Sequence, residues 1–161
     1  MAVSPVPSGF HTVTPHLVIR GAAKAIEFYK KAFGATELMV MPGPDGKGVM
    51  HAELKIGDSI IFLADEWPNG PQASPEKYGG TTTSMHLYVP NADAAFEKAV
   101  AAGAKVEMPL MNMFWGDRFG KVIDPFGHSW SIAQHTEDVP PAEFGPRMKE
   151  WMKNMPPMPK K

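Results

Sequence analysis

A chain of 161 residues with a formal charge of −1 is long enough to bury an apolar core as one ordinary domain or two small modules. Its near-neutral balance gives no electrostatic footprint for nucleic acid or an anionic membrane, apart from a short tail from Lys153 to Lys161, so no DNA or RNA partner is expected. With no cysteine, a disulfide framework, a thiolate metal site and a cysteine nucleophile are all excluded. No apolar run approaches the roughly 18 residues of a membrane span and no leader pattern opens the chain, so the expected location is cytoplasmic.

Residues 1–11 are rich in Pro, Ser and Gly and are expected to be flexible. A first βαβββ module is then read over 12–64. Its strand Val13–Ile19 leads through Gly21 into a helix Ala22–Phe33, where Ala22, Ala25, Ile26, Tyr29 and Phe33 recur at the spacing of a buried stripe and Gly34 stops the helix. Three strands follow: Thr36–Met41, Val49–Ile56 and Ser59–Ala64. His51, Glu53 and Lys55 share one face of the middle one. Residues 65–81 hold several Pro and Gly and read as a linker loop, with Asp65 and Glu66 as solvated charges.

A second βαβββ module is expected over 82–137. It comprises a strand Thr82–Val89, Asn91 as N-cap, a helix Ala92–Ala101 stopped by Gly103, a strand Lys105–Pro109, and a long loop Leu110–Gly116. A strand around Phe119–Ile123 follows, then an Asp124–Gly127 turn and a last strand Ser129–Gln134. In that last strand Trp130 and Ile132 alternate with Ser129 and Ser131, giving it two distinct faces. Residues 138–161 form a Pro- and Met-rich tail with a short helix Pro146–Lys153, whose Met148, Trp151 and Met152 need a surface to pack on.

The two halves match by count. His16 and His86, Gly57 and Gly127, and Ser59 and Ser129 stand 70 residues apart, while Gly34-Ala35 and Gly103-Ala104 stand 69 apart. Two tandem βαβββ modules with Phe28-Tyr29-Lys30-Lys31-Ala32-Phe33-Gly34-Ala35 and Asp124-Pro125-Phe126-Gly127-His128 resemble the vicinal oxygen chelate superfamily, the group of glyoxalase I, bleomycin resistance proteins and extradiol dioxygenases. Met50-His51-Ala52-Glu53-Leu54, Gly57-Asp58-Ser59, Trp115-Gly116-Asp117-Arg118 and Gly127-His128-Ser129-Trp130-Ser131 resemble its PhnB-like subgroup.

The resemblance implies an α+β fold in which each module is an open, curved sheet with a helix on its back, the two forming a concave cleft. It also implies a homodimer, for which open sheet edges supply a physical motive. Carried over, the superfamily's four metal-ligand positions fall on Thr14, Ile61, Ser84 and Ser131. None is a good ligand for a catalytic divalent ion, so the expectation is a metal-free cleft with no cofactor.

Candidate binding residues are His16, His86, Phe114, Trp115 and Arg118. The two histidines lie on the same strand face as the vacated positions, and could bind a ligand, act as a base, or be satisfied structural side chains. An aromatic ring beside a guanidinium suits a planar or anionic small molecule, and the bland alternative pairs Arg118 with Asp117 or Asp124. Met108, Met111 and Met113 suit a deformable apolar pocket. The expected partner is therefore a small aromatic or anionic molecule. The alternatives are a lyase, isomerase or dioxygenase holding one divalent metal (Zn, Ni, Mn or Fe) on His16, His86 and Glu53, and a protein-interaction module working through the tail. No dinucleotide fingerprint, P-loop, nucleophile elbow or zincin motif is present.

Overall fold

The structure, a computed structural model, describes residues 3–155 and divides into two units, one up to Thr81 and one from Thr82. In the first, β1 (His16–Ile19), α1 (Ala22–Phe33), β2 (Thr36–Pro42), β3 (Val49–Ile56) and β4 (Ser59–Asp65) precede a short helix, α2 (Pro75–Tyr78). The second unit repeats the order with β5 (Ser84–Tyr88), α3 (Ala92–Ala102), β6 (Lys105–Asn112), β7 (Asp117–Ile123) and β8 (Ser129–His135), then adds α4 (Pro141–Asn154). Each unit is one mixed four-stranded sheet, ordered β1-β4-β3-β2 or β5-β8-β7-β6. First and last strands pair in parallel and the others antiparallel.

One face of each sheet is apolar because alternate residues are. Leu17, Ile19, Ala52, Leu54, Ile61 and Leu63 are buried, and α1 lays its buried Ala22, Ala25, Ile26 and Tyr29 against that sheet. In the second unit Val122, Trp130 and Ile132 are buried. There Gly120 has no room for a side chain: a Cβ would stand 2.8 Å from a Phe96 ring carbon of α3.

The helix starts are fixed from the last strand of each unit. Asp65 accepts from Gly21 N (2.9 Å) and Ala22 N (2.8 Å) at the start of α1, and from Val49 N (2.7 Å) at the start of β3. It is a structural carboxylate, and the reading of it as a solvated loop charge is corrected. Glu66 likewise binds the backbone and hydroxyl of Ser74. Gln134 plays the corresponding part for α3, accepting from Ala92 N (3.1 Å), while Asn91 caps Ala94 N (3.0 Å) as expected.

Several strands differ from expectation. β1 begins at His16, because Pro15 has no N–H to give, although its carbonyl still accepts from Phe62 N at 2.8 Å. β6 continues to Asn112, passing Pro109 at an irregularity in the register, so the long loop expected there shrinks. β7 and β8 extend to Asp117 and His135, which face each other. The tail helix is longer than expected, and its Trp151 packs on Phe114 of the same unit, ring centroids 5.9 Å apart. Met148 and Met152 stay exposed. The expected disorder of Pro156–Lys161 lies outside the described residues.

The turn before β8 is held by Asp124, which is 3% exposed. It accepts from Phe126 N (2.9 Å), His128 N (3.0 Å) and the Trp130 indole (2.9 Å). Asp124→Ala strips these donors of their acceptor in a buried setting, and urea unfolding should show a loss of roughly 2–4 kcal/mol.

Candidate functional site

Strand register decides which side chains meet, because paired residues point to the same side of a sheet. In the second unit His86 faces Ser131 and Tyr88 faces Ala133. Phe119 faces Ala133 and Asp117 faces His135, while Met111 faces Phe119. All of these lie on the open side of the sheet, opposite α3.

They form a run of rings ending at a carboxylate. The His86 ring lies 4.6 Å from Tyr88 and 5.8 Å from Phe119. Trp115 meets Phe119 edge-on at 5.6 Å and Phe114 at 5.0 Å. Beneath them Met108, Met113, Phe119 and Ala133 form a buried cluster, and Tyr88 leaves two thirds of its area (67%) in solvent. Asp117, only 3% exposed, gathers three side-chain donors: Trp115 Nε1 (3.0 Å) and Tyr88 OH (3.3 Å) on Oδ2, and His135 Nδ1 (2.8 Å) on Oδ1. The other nitrogen of His135 reaches Asp138 Oδ1 at 2.9 Å.

An imidazole bonded at both nitrogens to carboxylates is best satisfied as the cation. Accordingly Asp138, and then Asp117, hold His135 above the usual histidine range. His86 moves the other way: partial burial lowers it, with Lys121 assisting and Asp117 opposing. Burial and then Asp117 raise the Tyr88 phenol. The open face therefore presents an imidazole and a phenol shifted toward their neutral forms beside a histidine clasp shifted toward its charged form.

The first unit uses the same side of its sheet differently. His16 and Glu53 both face Phe62, and His51 comes within 4.7 Å of the Phe62 ring and 6.3 Å of His16. Sequence spacing gave no sign of this meeting; strand pairing brings it about. His51 Nε2 lies 3.4 Å from Glu53 Oε1, and partial burial, then His51, lower His16. The open-face neighbour of His16 on β4 is Phe62, while Ile61 faces α1. The carry-over of a ligand position onto Ile61 is thus one residue out of register, and with it the matching of Ser59 to Ser129.

Of the expected site residues, His86 and Trp115 join the ring run and Phe114 packs between Trp115 and Trp151. Arg118 does not join them. As a neighbour of Asp117 on a strand it points to the opposite side, where it pairs with Asp93 near the start of α3 at 2.6 Å and 3.1 Å. It lines an open, polar hollow of about 350 Å³ with Asn112, Gln134 and Glu137, so neither Asp117 nor Asp124 is its partner. The alternative metal set draws His16 and Glu53 from the first unit and His86 from the second, and Glu53 is engaged by His51. Among the described residues, no three His, Asp or Glu side chains are gathered to hold a metal ion. Tyr88, Asp117, Phe119 and His135 were not foreseen. The signal for His135 was the Ser129, Ser131, Ala133 alternation continued by one more step.

The Glyoxalase/Bleomycin resistance protein/Dioxygenase superfamily model matches residues 9–132, and the chain belongs to that superfamily. An uncharacterized protein of Mycobacterium bovis is 45% identical over 142 residues, spanning 86% of this chain and 90% of its own length. The X-ray structure of an Arabidopsis thaliana gene product superposes with a TM-score of 0.62 at 31% identity, covering 77% of this chain and 98% of that one. A PhnB protein from Bacillus cereus shares the fold at TM-score 0.62 and 19% identity, over 77% and 99% of the two chains. Among the described residues no helix is long and apolar enough to cross a membrane.

The charges on the open face give a pH test. A histidine raised above its unfolded value contributes stability that is complete below about pH 6.5 and lost as pH rises through the folded pKa. Histidines that are lowered make stability fall as pH drops below about 6.5 and through their folded pKa. NMR titration should therefore give His135 a midpoint above, and His16 and His86 midpoints below, the ordinary value. His135→Gln should remove the loss of melting temperature on the alkaline side.

Proposed function

We propose that this chain binds a small aromatic molecule, partly anionic, on the open face of its second unit and without a metal ion. The observation that supports this is the exposed Tyr88 ring, held against His86 and anchored through its hydroxyl to Asp117. A planar ligand gains from stacking on such a ring, the methionines of the adjoining cluster let the surface adapt, and the His135 imidazole, where Asp138 releases it, supplies an N–H donor for an anionic group. Superfamily membership supplies the scaffold and leaves the chemistry to be argued from these residues.

Thermal shift and tryptophan-quenching titrations with aromatic and anionic compounds test the reading. At least one aromatic class should stabilise the protein, and Tyr88→Ala should weaken its binding about 3–10-fold, the range of one aromatic contact. Dialysis against a chelator should leave that affinity unchanged. Stoichiometric Zn, Ni, Mn or Fe in untagged protein, with binding lost on chelation, would favour a metal-dependent lyase, isomerase or dioxygenase instead.

We also read the chain as a homodimer. Edge strand β2 exposes Leu38, Met39, Val40 and Met41 along its length, an arrangement that invites pairing with another chain. Sedimentation should give twice the chain mass, and Val40→Lys should shift it toward monomer.

A further inference from the structure

Resting on the reading of the open face as a small-molecule site, we propose that its ligand is an aryl carboxylate, gripped by His135 Nε2–H, and that Asp138 occupies the ligand carboxylate's place until it arrives. His135 is oriented from behind. Buried Asp117 fixes Nδ1 at 2.8 Å on one oxygen and holds the Tyr88 hydroxyl and Trp115 indole on the other. Nε2 is therefore aimed away from Asp117, and its acceptor is the carboxylate of Asp138 at 2.9 Å.

The two ends of this clasp differ in permanence. Asp117 is inside the unit, whereas the Asp138 side chain is fully exposed and its ion pair contributes little. The backbone just before Asp138 does not have to move for an exchange. Thr136 N and Glu137 N both donate to Gly116 O, at 2.9 Å and 3.0 Å, so only the Asp138 side chain need rotate away. What displaces it must supply the same group, a planar carboxylate accepting from a charged imidazole. The exposed Tyr88 ring, joined to the clasp through Asp117, offers an aromatic surface for the rest of that molecule, which is why the carboxylate should be borne by an aromatic ring.

The other charged groups nearby are occupied. Glu137 is taken by Arg147 of α4 at 2.7 Å and 2.8 Å, and Arg118 lies on the far side of the sheet with Asp93. The groups that face the grip are thus the Asp117 and Asp138 carboxylates, with the Tyr88 phenol beside them. His135 is held above its ordinary range by these carboxylates, so the grip fades as pH rises.

The test uses the full chain with 2-naphthoate and its neutral isostere 2-naphthamide, measured by tryptophan quenching at pH 6 and pH 9. Wild type should bind the carboxylate about tenfold tighter than the amide at pH 6, the gain of one charge-assisted hydrogen bond, and lose that preference at pH 9. Asp138→Asn should tighten 2-naphthoate binding about 3–10-fold at pH 6, and His135→Gln should abolish the carboxylate-over-amide ratio. Equal binding of the two probes at pH 6, or naphthoate affinity unmoved by Asp138→Asn, overturns the inference while leaving the ring surface as a binding site. Failure of both probes to bind overturns that reading as well.

Discussion

The parallel pairing of first and last strands is the constraint from which the rest of each unit follows. It joins residues far apart in sequence, His16 to Phe62 and His86 to Ser131, and because side chains alternate, it also settles which of them turn toward the helix. A shift of one residue in that pairing would either bury His86 against α3 or turn Trp130 outward, depending on which strand slips. The apolar alternation of Trp130 and Ile132 against Met85 and Leu87 opposes such a slip. The ring run on the open face is therefore held in place by burial on the other side of the same strands.

Three aspartates show how structure and function divide in this chain. Asp65 accepts from three backbone amides and Asp124 from two amides and an indole. Apart from the Trp130 indole, their donors are backbone amides of a helix start, a strand start or a turn, and cannot leave without unmaking it. Asp117 accepts from three side chains, two of which, Tyr88 and His135, reach solvent. A buried carboxylate with side-chain donors orients groups that remain free to meet something else. That difference in donors, more than burial or charge, separates Asp117 from the other two.

The repeat, the βαβββ order of each unit and the limits of α1 and α3 to within a residue were legible in the sequence, because each rests on local periodicity or on Gly and Asn at element ends, whereas α2 and the full length of α4 were not. The faces of the site were legible only in part. His16 and His86 were placed correctly by their common spacing, but Ile61 was assigned to the wrong side. The Gly57 and Gly127 turns stand 70 apart, whereas open-face residues of the strands after them, Phe62 and Ser131, stand 69 apart. Arg118 was misjudged for a similar reason: adjacency to Asp117 in sequence places it on the opposite face. The partners of Asp65 and Asp117 come from residues 16 to 44 positions away, beyond the reach of any local pattern, apart from Trp115.

Duplication has left two sheets of one design with unlike open faces. In the first unit, the residue opposite the leading histidine is Phe62, and Phe10, His16 and His51 all lie against it. Its rings are used up on one another. In the second, the same position is Ser131, hydrogen-bonding distance from Ser84, and the histidine turns instead toward Tyr88 and Phe119. Replacing a large ring by a hydroxyl on the last strand removes the internal partner and leaves aromatic surface unspent. That asymmetry, an exposed ring beside a small residue on the last strand, is the physical argument for the proposal that puts binding on the second unit.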